Sequence, residues 1–501
     1  MIKSHLPVIL RFGQPSRVIF FLISLFVGFG LTPFAFGMTL EEAVDMAKQN
    51  NEKIKQYNER LMQKKADDRS AWGNFLPNVS VDAYYNHLNG PLEIDLDPIR
   101  SVIMNLQAGN QTELTNLGQI VQGGSPLTPE ERDLYFGQYY NGLDTLLPHF
   151  RETFKDQDYR TMTVTATQPL FWGGKIMAAK KYAAAEKRAA AAELTKTENE
   201  IARDAIGDYL AVAFMNQLVN LRNNVYEAMK IHEGQAQKLM AEGLIAKYHL
   251  LRAEVAVADA ERNLYDDNNR RDLAAIVMAH TLSIDELDPH SLTDSLRYIE
   301  VNQQLEYFRD MALGNQQILK MIREKRQAAR QKYNVERSEL LPHLTAFGKY
   351  EMITDDLSSL EPDWVIGLNL QFTIFEGAKR INNLQSAKHL QKEVDYLLAG
   401  TEKQIALWVE KAYREMRNAE ERYLKSSANI DLAAENLRQA QQRFDVGMGT
   451  SLEIVDAHLE LEKVKIESLR SLYDYYIAYT DLALACGKPD MVVELWKTME
   501  K

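Results

Sequence analysis

The chain repeats its own sequence at long range, and that limits the folds open to it. Asp45-Met46-Ala47 recurs as Asp310-Met311-Ala312, while Asn50 and Leu76-Pro77 recur as Asn315 and Leu341-Pro342, all at an offset of 265. Further on the offset is 204. Leu170-Phe171, Gly173 and Lys175 match Ile374-Phe375, Gly377 and Lys379, and Gly243 and Ala253 match Gly447 and Ala457. The fall from 265 to 204 is one insertion of 61 residues between Pro77 and Leu170, placed by composition near 90–158. An ancient duplication of one unit is the simplest account. The expected units are 38–302 and 303–486, with a tail at 487–501.

Each unit carries the same order of signals. Thr39-Leu40-Glu41-Glu42 is a capping box, in which a threonine and a glutamate three residues on satisfy each other's backbone N–H groups. It predicts a helix to about Trp72, with a counterpart from about 303 to 337. Leu-Pro then leads into strands, predicted near 77–89 and 159–171 and again near 342–353 and 363–375. Met162, Val164 and Ala166 alternate with Thr161, Thr163, Thr165 and Thr167. Trp364, Ile366, Leu368, Leu370, Phe372 and Ile374 alternate with Val365, Gly367, Asn369, Gln371 and Thr373. Proline is then absent from 170 to 288 and from 363 to 488. Ile206, Leu210, Phe214, Leu218, Leu221, Val225 and Met229 recur every three or four residues, as along a helix–helix seam. Gly243 and Gly447-Met448-Gly449 break the helical pattern. Each unit is thus expected to end in a long helical hairpin, 173–283 and 376–485, with a linker after the first.

Residues 1–37 read as an export signal. Lys3, Arg11 and Arg17 flank the apolar run 18–27, and Ala35-Phe36-Gly37 ends the segment on small residues. A membrane anchor is the competing reading; Pro33 and the small-residue end weigh against it. Beyond residue 37 no apolar run approaches the ~20 residues of a spanning helix. A membrane-crossing part must then be a β-barrel. Alternating strands also suit the half-buried face of a soluble sheet, and the export signal decides for the barrel. Four strands leave two open edges whose unpaired backbone groups lipid does not tolerate, so protomers must pool strands, and three give twelve. The expected fold is therefore mainly α with a membrane β-barrel part.

Charge and composition exclude several functions. Lys and Arg total 58 against 70 Asp and Glu, a net charge of −12, which disfavours a nucleic-acid partner. Cys486 is the only cysteine, so neither a disulfide scaffold nor a cysteine zinc site is available. The sequence has no His-Glu-x-x-His, no nucleophile elbow and no phosphate-binding loop; Leu452 stands where a third glycine would follow Gly447 and Gly449. No catalytic residue, cofactor or metal site is expected, and the chain is read as not an enzyme.

These features resemble the TolC, or outer membrane factor, family. The resemblance spans the chain beyond the export signal. It rests on the duplicated strand–hairpin order, the Leu-Pro steps into the strands, and two segments, Glu242-Gly243-Leu244-Ile245-Ala246-Lys247-Tyr248 and the run from Asp445 to Ala457. It implies a homotrimer with a twelve-stranded barrel in outer-membrane lipid and an α-helical tunnel reaching into the periplasm. The implied role is a passive exit channel for small molecules or proteins in tripartite efflux or type I secretion. The implied partners are a periplasmic adaptor and an inner-membrane transporter of RND, ABC or MFS type. Glu453 and Asp456 match acidic positions of the periplasmic entrance, where three copies would form two rings that select cations. Thr450-x-x-Glu453 is equally a capping box, the other reading of Glu453. The first unit has His249 and Arg252 at the matching positions.

Where the family ties its closed entrance with a tyrosine and an arginine, this chain has Phe444 and Gly449 as gate neighbours, and neither can make that polar tie. Gly243, Leu244, Ile245, Gly447 and Met448 are the implied adaptor-docking points, or plain hairpin turns. The insertion, with Tyr135, Phe136, Tyr139, Tyr140 and Phe150, should lie outside the cell as a surface excursion or a cap. Trp172 and Trp364 sit near strand ends, as interface anchors or as packing residues. A periplasmic adaptor and a structural coiled-coil protein are the competing functions. The adaptor predicts one hairpin with a lipoyl-like domain; the coiled coil predicts sustained heptads without amphipathic strands.

Overall fold

A computed structural model describes residues 37–358, 360–446 and 448–498. Of the expected export signal, residues 1–36 lie outside this range, as does Gly447. The first unit contains α1 (Leu40–Asn50), α2 (Glu52–Gly73), β1 (Asn78–His87), β2 (Leu92–Asp95), α3 (Asp97–Val121), α4 (Pro129–Leu146), β3 (Arg151–Lys155), β4 (Asp158–Trp172), α5 (Lys175–Ala241) and α6 (Lys247–Leu282). The second contains α7 (Leu305–Asn315), α8 (Gln317–Ser338), β5 (His343–Glu351), β6 (Trp364–Gln371), α9 (Lys379–Asp445) and α10 (Ser451–Ala485), and α11 (Asp490–Lys497) follows. The internal likeness is close in length: α5 and α9 have 67 residues each, and α2 and α8 have 22 each. It reaches single dihedrals. Gly174 opens α5 with φ 87°, and Ala378, at the matching position, opens α9 with φ 62° despite its Cβ.

The opening helix of each unit differs from the continuous one expected, because a polar residue breaks it. Asn51 is extended, and its side chain caps α2 by accepting from the Lys53 N–H at 3.0 Å. Gln316 makes the second break, and its buried amide donates to the carbonyls of Leu484 and Ala485, satisfying the end of α10. The breaks therefore serve neighbouring helices.

Strand order in the main sheet is β1-β4-β5-β6, all antiparallel. Register sets the faces. Val81 opposes Val164, Val164 opposes Tyr350, and Tyr350 opposes Trp364. Ala346 opposes Leu368, and Leu344 opposes Leu370, on the same face. The other face pairs Ser80 with Thr165, Thr165 with Lys349, and Thr345 with Asn369. Strand alternation is thus in phase across all four strands, one face apolar and the other mainly polar, with Phe347 and Val365 as its apolar members. The apolar face is bare: Ile366, Leu368 and Leu370 are each about two-thirds exposed or more. β6 ends at Gln371, short of the expected 375, and Phe372, Ile374 and Phe375 stay exposed. Trp364 is exposed on the apolar face, whereas Trp172 stacks on His343 at the junction with the helices.

The insertion is a structured element rather than an open loop. β2 and β3 form a ribbon, and α3 and α4 pack on each other as a hairpin at its end.

The main core lies where the two units meet. Tyr209 of α5, Phe308 of α7, Met278 and Leu282 of α6, and Tyr475 and Tyr476 of α10 are fully buried there. The Tyr209 hydroxyl sits 2.7 Å from the Asp294 carboxylate, and Tyr475 donates to the Ile299 carbonyl, so the linker between the units is strapped to the core. The tail carries α11, whose Trp496 packs edge-on against Tyr476.

Nearer the hairpin tips one charge cluster joins the hairpins. Arg222 of α5 donates to Asp267 of α6 at 2.8 Å and also binds Glu462 of α10. Both carboxylates are buried. Arg222→Ala strips Glu462 of its guanidinium and is expected to cost about 3–5 kcal/mol. Thermal unfolding in detergent checks this, and an unchanged midpoint would contradict it.

Candidate functional site

The two hairpin tips, 242–246 and 446–450, sit side by side and enclose an open cleft of about 870 Å³. Lys238, Glu242 and His249 line it from the first tip, and Phe444, Asp445 and Thr450 from the second. At the first tip Gly243 takes φ 76°, and the Leu244 N–H returns to the Leu239 carbonyl at 2.9 Å, closing the end of α5. Leu244 stands exposed, whereas Ile245 packs against Ala236, Leu250 and Ala253.

The second turn is tighter. The N–H groups of Met448 and Gly449 both donate to the Arg443 carbonyl, at 2.8 and 2.9 Å. A Cβ on Gly449 would stand 2.8 Å from the Phe444 nitrogen, so only glycine permits this approach. Thr450 then caps α10, its hydroxyl accepting from the Glu453 N–H at 3.3 Å. The Glu453 carboxylate lies 3.6 Å from the Arg443 guanidinium, which also donates to the Met448 carbonyl at 3.4 Å. Arg443 thereby spans the turn from α9 to α10. Sequence reasoning missed it, because the pairing of residues ten apart appears only once the turn is built.

Glu453 is half-buried at this ion pair, and Asp456, one helical turn on, is exposed. The structure brings both to the same end of α10 as Thr450. Met448 is exposed at the tip. Gly447 lies outside the described residues.

Phe444 is buried between the hairpins, edge-on to His232 of α5 with ring centroids 5.4 Å apart. His232 bonds through Nε2 to the Ser451 hydroxyl at 2.7 Å, and its buried Nδ1 has no hydrogen-bond partner among the described residues. Phe444 and His232 therefore hold one tip to the other by packing and one hydrogen bond. Burial pushes the pKa of His232 down, and burial with His232 nearby does the same for His458. Among the described residues no group of His, Cys, Asp and Glu is placed to hold a metal ion. Cys486 is buried, and burial pushes its thiol up to about 12, so it is unreactive.

The outer membrane efflux protein family matches residues 137–281 and 308–488, most of both units. The chain belongs to the outer membrane efflux protein family. Among relatives, TolC of Vibrio cholerae is 25% identical over 177 residues, 34% of this chain. The chain spans 40% of the length of that relative. The fold is that of VceC from Vibrio cholerae, with a TM-score of 0.67, 16% identity and coverage of 90% of this chain and 96% of that one. It is likewise that of the MtrE outer membrane channel of Neisseria gonorrhoeae, with a TM-score of 0.66, 13% identity and coverage of 90% and 89%. Two tandem hairpins on one sheet, in a chain of this family, set aside the adaptor and coiled-coil readings.

The tip contact is expected to be pH-dependent. His232 and His458 resist protonation when folded but titrate near 6.5 when unfolded. Their contribution is fully present above that value and declines as pH falls below it, because the unfolded state gains protons that the folded state refuses. Amide protection of 228–250 and 440–458, corrected for intrinsic exchange, should fall between pH 7.5 and 5.5. His232→Gln should flatten the fall, and an unaltered slope would contradict it.

Proposed function

We propose that the protein is a passive exit duct of the outer membrane. Three copies pool their sheets into a twelve-stranded barrel, and the hairpins close into a tunnel whose entrance is the ring of tips. One observation carries this reading: the apolar face runs over all four strands, exposed on β1 and β6 and partly so on β4 and β5, the opposite face is mainly polar, and among the described residues β1 and β6 are open edges. Lipid takes the apolar face, water the polar one, and a neighbouring protomer each edge.

At the entrance, Glu453 and Asp456 from three copies supply six carboxylates around one axis. Such rings raise the local cation concentration and set selectivity. Arg443 tempers Glu453, so Asp456 carries the larger share. Leu244 and Met448, exposed at the tips, offer the apolar contacts that a periplasmic adaptor would cover, with Gly243, Ile245 and Gly447 shaping the turns beneath. An inner-membrane transporter supplies the energy, since the sequence has no phosphate-binding loop. Choice among drugs, metals and proteins as cargo falls to those partners.

In a planar bilayer the purified protein is expected to form cation-selective channels, and Glu453→Ala with Asp456→Ala to lose that selectivity. Channels indifferent to the double variant would overturn the acidic ring and keep the duct. Absence of both conductance and membrane association would contradict the duct itself.

A further inference from the structure

The insertion offers a surface that the duct does not use. It is held rigidly. The buried Arg100 of α3 donates to the carbonyls of Asp144 and Leu147 at the end of α4 and pairs with the Asp144 carboxylate at 2.8 Å. Asn116 accepts from the Leu127 N–H at 3.0 Å and closes the loop between the two helices. At the base, Lys155 donates to the Asp356 carbonyl at 3.0 Å and pairs with Glu361, tying the insertion to the β5–β6 connection.

α3 buries a largely polar face against α4 and exposes an apolar one opposite. Arg100, Met104, Ala108, Thr112 and Asn116 recur every four residues and are buried on the α4 side. Diametrically opposite run Ile99, Ile103, Leu106, Asn110, Leu117 and Ile120. The five apolar members of this row are exposed, Leu106 by 64%. Glu113 completes the row in steps of four and three, and it is drawn toward α4 by Arg132. Steps of four and three over three heptads are the spacing of a coiled-coil seam, and a single asparagine at such a position is a register device.

Two features decide what covers this face. Helices that lie on lipid carry Lys and Arg along the polar side. The only cation of α3 is Arg100, and it is buried against α4. Asn110, at the middle of the row, would be unpaired in hydrocarbon but finds its own copies on a symmetry axis. Position points the same way: α3 follows β1 by nine residues, and β1 is the edge that meets a neighbouring protomer in the barrel. We propose that three copies of α3 pack through this face into a three-helix coil over the outer mouth of the barrel. The inference rests on the trimeric reading above and adds an interface outside the membrane to it.

Leu106→Cys and, separately, Leu117→Cys are tested in the full-length protein by oxidation in isolated outer membranes. Buried Cys486 stays in place, and Asp133→Cys, exposed on α4, is the control. The seam variants are expected to shift to the size of a covalent dimer, the control to remain uncross-linked, and all three to run as trimers on native gels. Trimers in which the seam cysteines stay uncross-linked would overturn the coil and leave the duct standing. Quenching of a fluorophore at residue 106 by a bilayer-embedded nitroxide would assign the face to lipid and overturn the coil. A chain that runs as a monomer would overturn both readings.

Discussion

Backbone N–H and C=O groups along the outer sides of β1 and β6 have no strand partner among the described residues, and the face those strands share is lined with valine, isoleucine and leucine. Neither condition is stable in water for a lone chain. The bare apolar face calls for a hydrocarbon solvent, and in that solvent an open edge is prohibitive. Closure with other copies answers both demands at once. The rest of the molecule follows from this. In the proposed duct the hairpins carry the tips far from the sheet, since 67 residues of helix extend roughly 100 Å at ~1.5 Å per residue.

Duplication places two similar hairpins in each protomer, and the tips show how they diverge. The first turn closes on Gly243 and leads to His249 and Arg252; the second closes on Gly449 and leads to Glu453 and Asp456. Only the second presents an acidic pair. Between them, His232 meets Phe444 and Ser451, and Val455 of α10 packs on Val225 and Met229 of α5. Farther from the tips, Arg222 joins the hairpins through buried carboxylates, and beyond it the tyrosine-rich core fixes them.

Much of this was legible in the sequence because it depends on local pattern. The period-two alternation of 161–168 and 364–371, the capping box at Thr39, and the glycine breaks at 243 and 447–449 each report short-range physics. The offsets of 265 and 204 located the insertion. What stayed hidden depends on residues distant in sequence. The helix break at Gln316 serves α10, some 168 residues on. Arg443 reaches Glu453 only around a turn, and His232 meets Ser451 across two hairpins. The two helices of the insertion escaped notice because α3 exposes its apolar face and buries a largely polar one, the reverse of the usual pattern. At Glu453 the structure forms the Thr450 cap through the Glu453 backbone N–H, while the carboxylate meets Arg443 and the Thr450 hydroxyl.

The central claim is that strand pairing between copies completes the sheet. Native mass spectrometry of the protein extracted from outer membranes in mild detergent tests it most directly. The account predicts three times the mass of one mature chain, collapsing to one on heating with loss of the β signal. A folded monomer that keeps its β signal, or an assembly whose count is not three, would contradict it.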